Sequence, residues 1–292
     1  MQYVTEQNLT DIVLERWQNI PDPRLRQVMG SLIKHLHAFV RDIEPTEKEW
    51  ATAIDFLTRT GKMCDDKRQE FILFSDVMGV SMLVDAINHR LQTGATPTTV
   101  EGPFHVPNAP AMDNGADMAK GAPGIPCFVV GKLRDLDGRP IANATLDLWQ
   151  TDGEGLYEAQ RNVTEPWMRG VYRSQPDGSY VVRTVAPIGY TIPMDGPVGE
   201  LMQRTKISHM RPAHIHFCVE SPEHHRLVTH LFQRGGQYID TDVVYGVKEP
   251  LIVDFVKNPA GSKAPTGETM NEPFYVVNYD FVLQKVAKAA AA

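Results

Sequence analysis

Apolar positions in the first third of the chain recur at helical spacing. Residues 5–20 place Leu9, Ile12, Val13 and Trp17 three or four apart, which predicts an amphipathic helix closed by Pro21-Asp22-Pro23. Residues 25–43 continue the same pattern. Thr46, followed by Glu47 and Glu49, supplies an N-cap and an acidic first turn for a third helix. A fourth helix is predicted from about residue 66 to 91. Its apolar face is broad, with Phe71, Ile72, Phe74, Val77, Met78, Val80, Met82, Leu83 and Ile87. Such a face predicts burial on more than one side, within this domain or against a partner subunit.

Near residue 95 the period changes from helical to alternating. Leu136-Asp137-Gly138-Arg139 and Gln175-Pro176-Asp177-Gly178 are turn sequences, each followed by alternating or β-branched runs. Strands are predicted at 127–134, 144–150, 179–186, 214–220, 227–232, 251–255 and 274–282. Many short strands at this spacing predict an antiparallel β-sandwich. The fold class expected is therefore α+β, with a helical domain over residues 1–95 and a β-sandwich over 96–292. No internal repeat is present. Residues 102–124 read as a long ordered loop and residues 286–292 as a frayed tail.

Composition narrows the function. A chain of 292 residues has ample length for a core. Its net charge of −7, with signs mixed, leaves no basic footprint for nucleic acid. No apolar run reaches the length of a membrane span, and the first residues lack a signal-peptide pattern. Cys64, Cys127 and Cys218 are an odd, scattered trio, which reads as free thiols in a reducing compartment, the cytoplasm.

Candidate chemistry concentrates in Arg211-Pro212-Ala213-His214-Ile215-His216. Residues two apart on a strand share a face, so His214 and His216 can close on one metal ion. A His-x-His pair is a weak signal alone, because such pairs often only satisfy local hydrogen bonds. Six of the ten histidines lie between His209 and His230, which strengthens it. Upstream stand Tyr157, after Gly153-Glu154-Gly155-Leu156, and Tyr190, in Pro187-Ile188-Gly189-Tyr190. Two imidazoles with two hard phenolates suit ferric iron far better than zinc. Cys218 falls on the same strand face, but small buried cysteines commonly fill strand cores. His209, His224 and His225 read as loop residues, and His35, His37, His89 and His105 form no metal-like group.

The order Tyr157, Tyr190, Arg211-Pro212-x-His214-x-His216, preceded by Asp147-Leu148-Trp149-Gln150, resembles the intradiol ring-cleaving dioxygenases along nearly the whole chain. These non-haem iron(III) enzymes open catechols between their hydroxyls. The resemblance implies one Fe(III) per subunit, held by Tyr157, Tyr190, His214 and His216. Tyr190 and His214 would be axial, and Tyr190 would leave the metal to take a diol proton. Arg211 would lie over the substrate ring and stabilise carbanion-like charge. Its bland reading is a surface salt bridge. The resemblance also implies a homodimer joined through the N-terminal helices, which makes residues 1–95 a dimerisation domain, and allows a phospholipid in a tunnel there.

Within the family, residues 74–85, Thr229-His230-Leu231-Phe232 and residues 242–251 resemble the branch that cleaves hydroxyquinol to 3-hydroxy-cis,cis-muconate or maleylacetate in aromatic catabolism. Catechol or chlorocatechol cleavage to a (chloro)muconate is the alternative. Leu73 and Asp76 stand one helical turn apart on one face. Asp76 could accept a hydrogen bond from a third hydroxyl, or simply pair with a surface cation. Val100, Gly102, Pro103, Ile192 and Pro193 would wall the ring. His230 stands where many catechol-cleaving members carry Gln, and Glu101 where an apolar residue is expected, so its side chain is expected to point away. Two other classes compete: a zinc hydrolase on His214 and His216, which lacks a carboxylate ligand at motif spacing, and a non-enzymatic sandwich with a helical arm, which leaves the tyrosines and Arg211 without a role.

Overall fold

The computed structural model describes residues 3–286 except 66, 67 and 162. The expected start of the fourth helix and the tail beyond Val286 therefore lie outside the described residues. The chain divides after Arg59 into two compact units.

In the first unit lie α1 (Leu9–Trp17), α2 (Pro23–Ile43) and most of α3 (Glu47–Lys62). α1 starts later than its apolar pattern predicts. Thr5 and Asn8 exchange backbone-to-side-chain hydrogen bonds of 2.7 and 3.3 Å, an alternative to the helical ladder that holds the preceding turn open. α2 starts earlier than predicted, because Asp22 accepts from the amides of Arg24 and Leu25 and Pro23 occupies the first turn. Thr46 and Glu49 form the reciprocal cap expected of α3, with the Thr46 amide donating to Glu49 at 2.8 Å and the Glu49 amide donating to the Thr46 hydroxyl at 3.2 Å.

The second unit opens with two helices where the sequence predicts one. α4 (Glu70–Val77) and α5 (Val80–Asn88) are separated at Gly79, whose φ of +71° lies in the left-handed region. The Gly79 amide donates back to the Asp76 carbonyl at 2.9 Å, which ends α4. Only Glu70, Leu73, Asp76 and Val77 of α4 and Met82 and Asp85 of α5 are buried. Phe71, Ile72, Val80, Leu83, Val84 and Ile87 remain exposed.

The strands that follow are β1 (Pro126–Asp135), β2 (Thr145–Trp149), β3 (Arg169–Arg173), β4 (Ser179–Val185) and β5 (Tyr190–Thr191). Helix α6 (Pro197–Thr205) then precedes β6 (Met210–Arg211), β7 (His214–Glu220), β8 (Leu227–Gln233), β9 (Ile252–Val253), β10 (Val256–Asn258), β11 (Phe274–Asn278) and β12 (Phe281–Leu283). Residues 102–124 carry no helix or extended strand.

Two five-stranded sheets face each other, and a two-stranded ribbon of β5 and β6 stands apart. The sheets are mixed rather than antiparallel. β1 runs parallel to β11 and β12, and β8 runs parallel to β9. The predicted strand at 274–282 is two strands, because Tyr279 and Asp280 leave the line between them. The predicted strand at 251–255 is a 3-10 turn leading into β9. β3, β5, β6 and β10 were not expected. β5 and β6 are only two residues long, too short for any alternation to register.

Alternation along the second sheet separates core from site. Leu146, Leu148, Ile215, Phe217, Val219 and Leu231 pack inward against Cys127, Val129, Tyr180, Val182 and Phe281 of the first sheet. The opposite face of the same strands carries Trp149, His214, His216, Cys218 and His230. Register pairs Trp149 with His216 and His216 with His230, so these three stand in one row across β2, β7 and β8.

Candidate metal centre and active site

The four predicted donors reach the site by three local devices. His214 and His216 project from β7, which is hydrogen-bonded on both edges, so their spacing follows from strand geometry alone. Tyr190 sits on β5 opposite Arg211 on β6. Tyr157 ends a tight loop in which Asp152 accepts from the amides of Glu154 and Leu156. Gly155, at φ +82°, lets that loop close on Tyr190; a Cβ there would lie 3.3 Å from the Tyr190 Cβ. Gln160 then accepts from the Tyr157 amide at 3.0 Å, and Phe104 stacks on the phenol ring with centroids 4.4 Å apart.

The donor atoms converge. Tyr157 Oη lies 3.0 Å from Tyr190 Oη, 2.9 Å from His216 Nε2 and 3.5 Å from His214 Nε2, and the two imidazole nitrogens are 3.1 Å apart. Donors bound to a metal at about 2.1 Å stand roughly 3.0–3.4 Å from one another, so this spacing fits a shared ion. Among the described residues, His214, His216 and His230 form a group able to hold a metal, with ligand atoms within 4.8 Å of one another. Cys218 is not in that group. It packs with Trp149, Tyr157 and Tyr190 as an apolar neighbour.

The electrostatics fit a cation as well. Burial, then the Arg211 charge, push the His214 imidazolium down to about 3. Burial and the neighbouring His214 hold His216 well below the ordinary range. Both rings are therefore neutral and offer lone pairs, the form a metal requires. Burial drives the Tyr157 phenol up, and drives Tyr190 up against the opposing pull of Arg211. A positive ion between these phenols is what would favour their anionic form.

Arg211 is not a surface residue. It is buried, its Nη1 lies 3.1 Å from His214 Nε2, and its Nε donates to Asp242 Oδ1 at 3.1 Å. Burial opposes its charge, but Asp242 and the two phenols outweigh that and raise its pKa. Asp242 is held by the amides of Val244 and Gly246. Its place beside Arg211 was missed in the sequence, because nothing in the run Asp240-Thr241-Asp242 links it to a residue thirty-one positions away. Phe104 and Gln160 were missed for the same reason. His105 was set aside as a metal ligand, and it takes no part in the donor cluster. His230, noted as a departure, is fully buried beside His216, and neither of its ring nitrogens has a partner among the described residues.

The predicted substrate contacts line two cavities. Leu73, Pro103, Ile192 and Pro193 border one of about 480 Å³, with Phe104 and Thr191. Asp76, Val100 and Gly102 border another of about 550 Å³, with Ser81, Thr99 and Val228. Gly102 faces His216: an added Cβ would stand 3.5 Å from its Cε1. Asp76 is buried, which raises its pKa. The Ser81 hydroxyl and the charge of Arg211 oppose that rise, and Asp242 adds to it. Glu101 turns to His105 and Arg226, at 3.1 and 3.3 Å.

Residues 100–285 match the dioxygenase family, and residues 22–96 match the catechol dioxygenase N terminus. The 6-chlorohydroxyquinol 1,2-dioxygenase of Cupriavidus pinatubonensis is 46% identical, over 97% of this chain and 99% of its own. The hydroxyquinol 1,2-dioxygenase of Nocardioides simplex is 43% identical, over 97% and 96%. The solved hydroxyquinol 1,2-dioxygenase of Pseudomonas putida DLL-E4 superposes with a TM-score of 0.91 at 44% identity, over 96% of this chain and 99% of that one. Matched in both its helical and its β portions, and by relatives along almost its entire length, the chain belongs to the intradiol ring-cleavage dioxygenases.

Proposed function

We propose that this chain cleaves hydroxyquinol with dioxygen between its adjacent hydroxyls, giving 3-hydroxy-cis,cis-muconate or maleylacetate, and holds one ferric ion per subunit on Tyr157, Tyr190, His214 and His216. The observation that carries the reading is the meeting of two phenols and two neutral imidazoles at one buried point beside Arg211. Relatives named for hydroxyquinol and 6-chlorohydroxyquinol support this branch over catechol.

A bound ferric ion supplies the Lewis-acid and one-electron chemistry that lets a singlet diol react with triplet dioxygen. The remaining work falls to side chains. Tyr190 Oη accepts a proton from a diol hydroxyl, with Arg211 beside it as the compensating cation. Arg211 stabilises negative charge developing on the ring, in a site where burial strengthens the effect. Asp242 holds the guanidinium in place through its Nε. Leu73, Pro103, Ile192 and Pro193 exclude water from the ring, and Asp76 accepts a hydrogen bond from the third hydroxyl. Plain catechol lacks the third hydroxyl and leaves that carboxylate with only its Ser81 partner, which costs about 1–3 kcal/mol and gives roughly tenfold discrimination or more.

Residues 1–95 serve in this reading as the dimerisation domain and residues 96–292 as the catalytic one. The enzyme works as a cytoplasmic homodimer joined through the N-terminal helices, whose exposed apolar residues suit a phospholipid. No helix of the described residues is long and apolar enough to cross a membrane.

The test is dioxygen uptake by iron-loaded protein on hydroxyquinol, catechol, 4-chlorocatechol and protocatechuate, without reductant. The expected result is a preference for hydroxyquinol that falls about tenfold in Asp76→Ala. A preference for catechol or chlorocatechol would keep the chemistry and remove the role given to Asp76. No uptake on any diol by ferric protein would overturn the reading.

A further inference from the structure

His214 and His216 stand two residues apart on one strand face, yet they are held in different ways. The Nδ1 of His214 donates to the Pro212 carbonyl at 2.7 Å, which fixes the ring and turns its Nε2 lone pair toward the other donors. The Nδ1 of His216 is buried and has no hydrogen-bond partner among the described residues. A ligand imidazole is ordinarily oriented by the acceptor on its second nitrogen, so rotation of the His216 ring must be fixed by something else.

Two rings flank it. Trp149, its register partner on β2, stacks on it with centroids 4.7 Å apart and planes 20° from parallel. His230, its register partner on β8, meets it at 4.1 Å and 83°. A perpendicular neighbour leaves several ring angles open, whereas a parallel neighbour of indole size penalises any rotation away from coplanarity. Trp149 is itself not anchored by hydrogen bonding, because its indole nitrogen is also buried without a partner among the described residues. It is backed instead by His105, whose ring meets the indole at 4.6 Å and 64°. His105 is fixed at both nitrogens, with Nε2 2.9 Å from Asp147 Oδ2 and Nδ1 3.1 Å from Glu101 Oε1. Asp147 lies two residues before Trp149 on the same face of β2, so brace and indole share one strand.

We infer that Trp149, braced by His105 between Asp147 and Glu101, is the positioning residue that orients the His216 imidazole toward the metal, in place of a hydrogen-bonded acceptor. The inference rests on the reading that the four donors hold a ferric ion.

The experiment measures ferric-iron affinity, by competition with a soluble chelator, and the visible phenolate-to-iron absorption band. The full chain is compared as wild type, Trp149→Leu, Trp149→Phe, His105→Phe and His105→Leu. Trp149→Leu should weaken iron binding by about 10-fold or more and shift the band, since outer partners of ligand histidines carry effects of about 10–100-fold. Trp149→Phe should recover most of both. His105→Phe, which keeps a ring against the indole, should lie nearer to wild type than His105→Leu. Wild-type affinity and an unshifted band in Trp149→Leu would overturn the inference. Should Trp149→Leu fail to fold, the partly buried brace decides: a His105→Leu chain indistinguishable from wild type in both readouts overturns it. A wild-type chain that binds no ferric iron would overturn the underlying reading and the inference together, whereas an iron-binding wild type beside unaffected variants removes the inference alone.

Discussion

Arg211 is the side chain whose removal should separate binding the metal from using it. It touches His214 but is fastened to Asp242, so its loss leaves the four donors where they are. Arg211→Ala should retain iron and its visible band while kcat/KM falls by about 100-fold or more, the scale of losing one charge-stabilising donor in a buried site. Loss of the iron instead would make Arg211 a structural support. A second expectation concerns pH. Hydrogen bonding to Asp147, opposed by burial and aided by the charge of Glu101, raises the pKa of His105 above its ordinary 6.5. A raised value means that the charged ring stabilises the fold fully below about pH 6.5, and that this contribution is lost as pH rises through the raised pKa. The stability gap between wild type and Asp147→Asn, measured by urea unfolding, should therefore be widest in acid and narrow toward alkaline pH; a gap that widens would refute the assignment. His214 and His216 are legible in the sequence through strand alternation, and Tyr157 and Tyr190 through the motif order that resembles the family. The partners Asp242, Phe104 and Gln160 are not legible, because each is brought in by loop closure and no local spacing announces it.

Among the elements, β1 depends most on a missing side chain. It pairs with β11 up to Val130 and with β12 from Leu133. Between them the chain steps aside at Tyr279 and Asp280, and an added Cβ at Gly131 would meet the Tyr279 carbonyl oxygen at 1.7 Å. The clash is with backbone, so no rotamer relieves it. Gly131→Ala should cost about 3 kcal/mol, read as a lower urea midpoint. Phe217→Ala, which empties a fully buried position between the sheets, should cost about 3–5 kcal/mol by the same measure. The sequence conveys the strands that pack on this core, since alternation is strongest where one face is buried. It conveys neither the parallel pairings nor the two-residue strands, which are fixed by which distant segments meet rather than by local pattern. The break at Gly79 was hidden by apolar residues on both sides of it, which continue the helical period through the interruption.

For the whole molecule, the exposed apolar side of helix α2 sets the expectation. α2 presents Leu25, Val28, Leu32, Leu36, Phe39 and Ile43 at steps of three or four, and all six are exposed, from 44% to 56%. Such an exposed apolar stripe fits the proposed pairing of two subunits through these helices. Leu36→Asp combined with Phe39→Asp should convert a sedimenting dimer into a monomer while leaving the visible band intact; an unchanged dimer would move the interface elsewhere. The division of labour inside the catalytic unit has a consequence of its own. Both histidines ride on the middle strand of a sheet, where a one-residue slip would turn every side chain to the wrong face. The tyrosines and the walls formed by Pro103, Phe104, Ile192 and Pro193 ride instead on loops and a short ribbon, the parts of a fold that accept insertion and replacement most readily. Lineages built on this plan are therefore free to explore new ring substituents by rewriting loop sequence, while the frame that spaces the imidazoles stays beyond the reach of that variation.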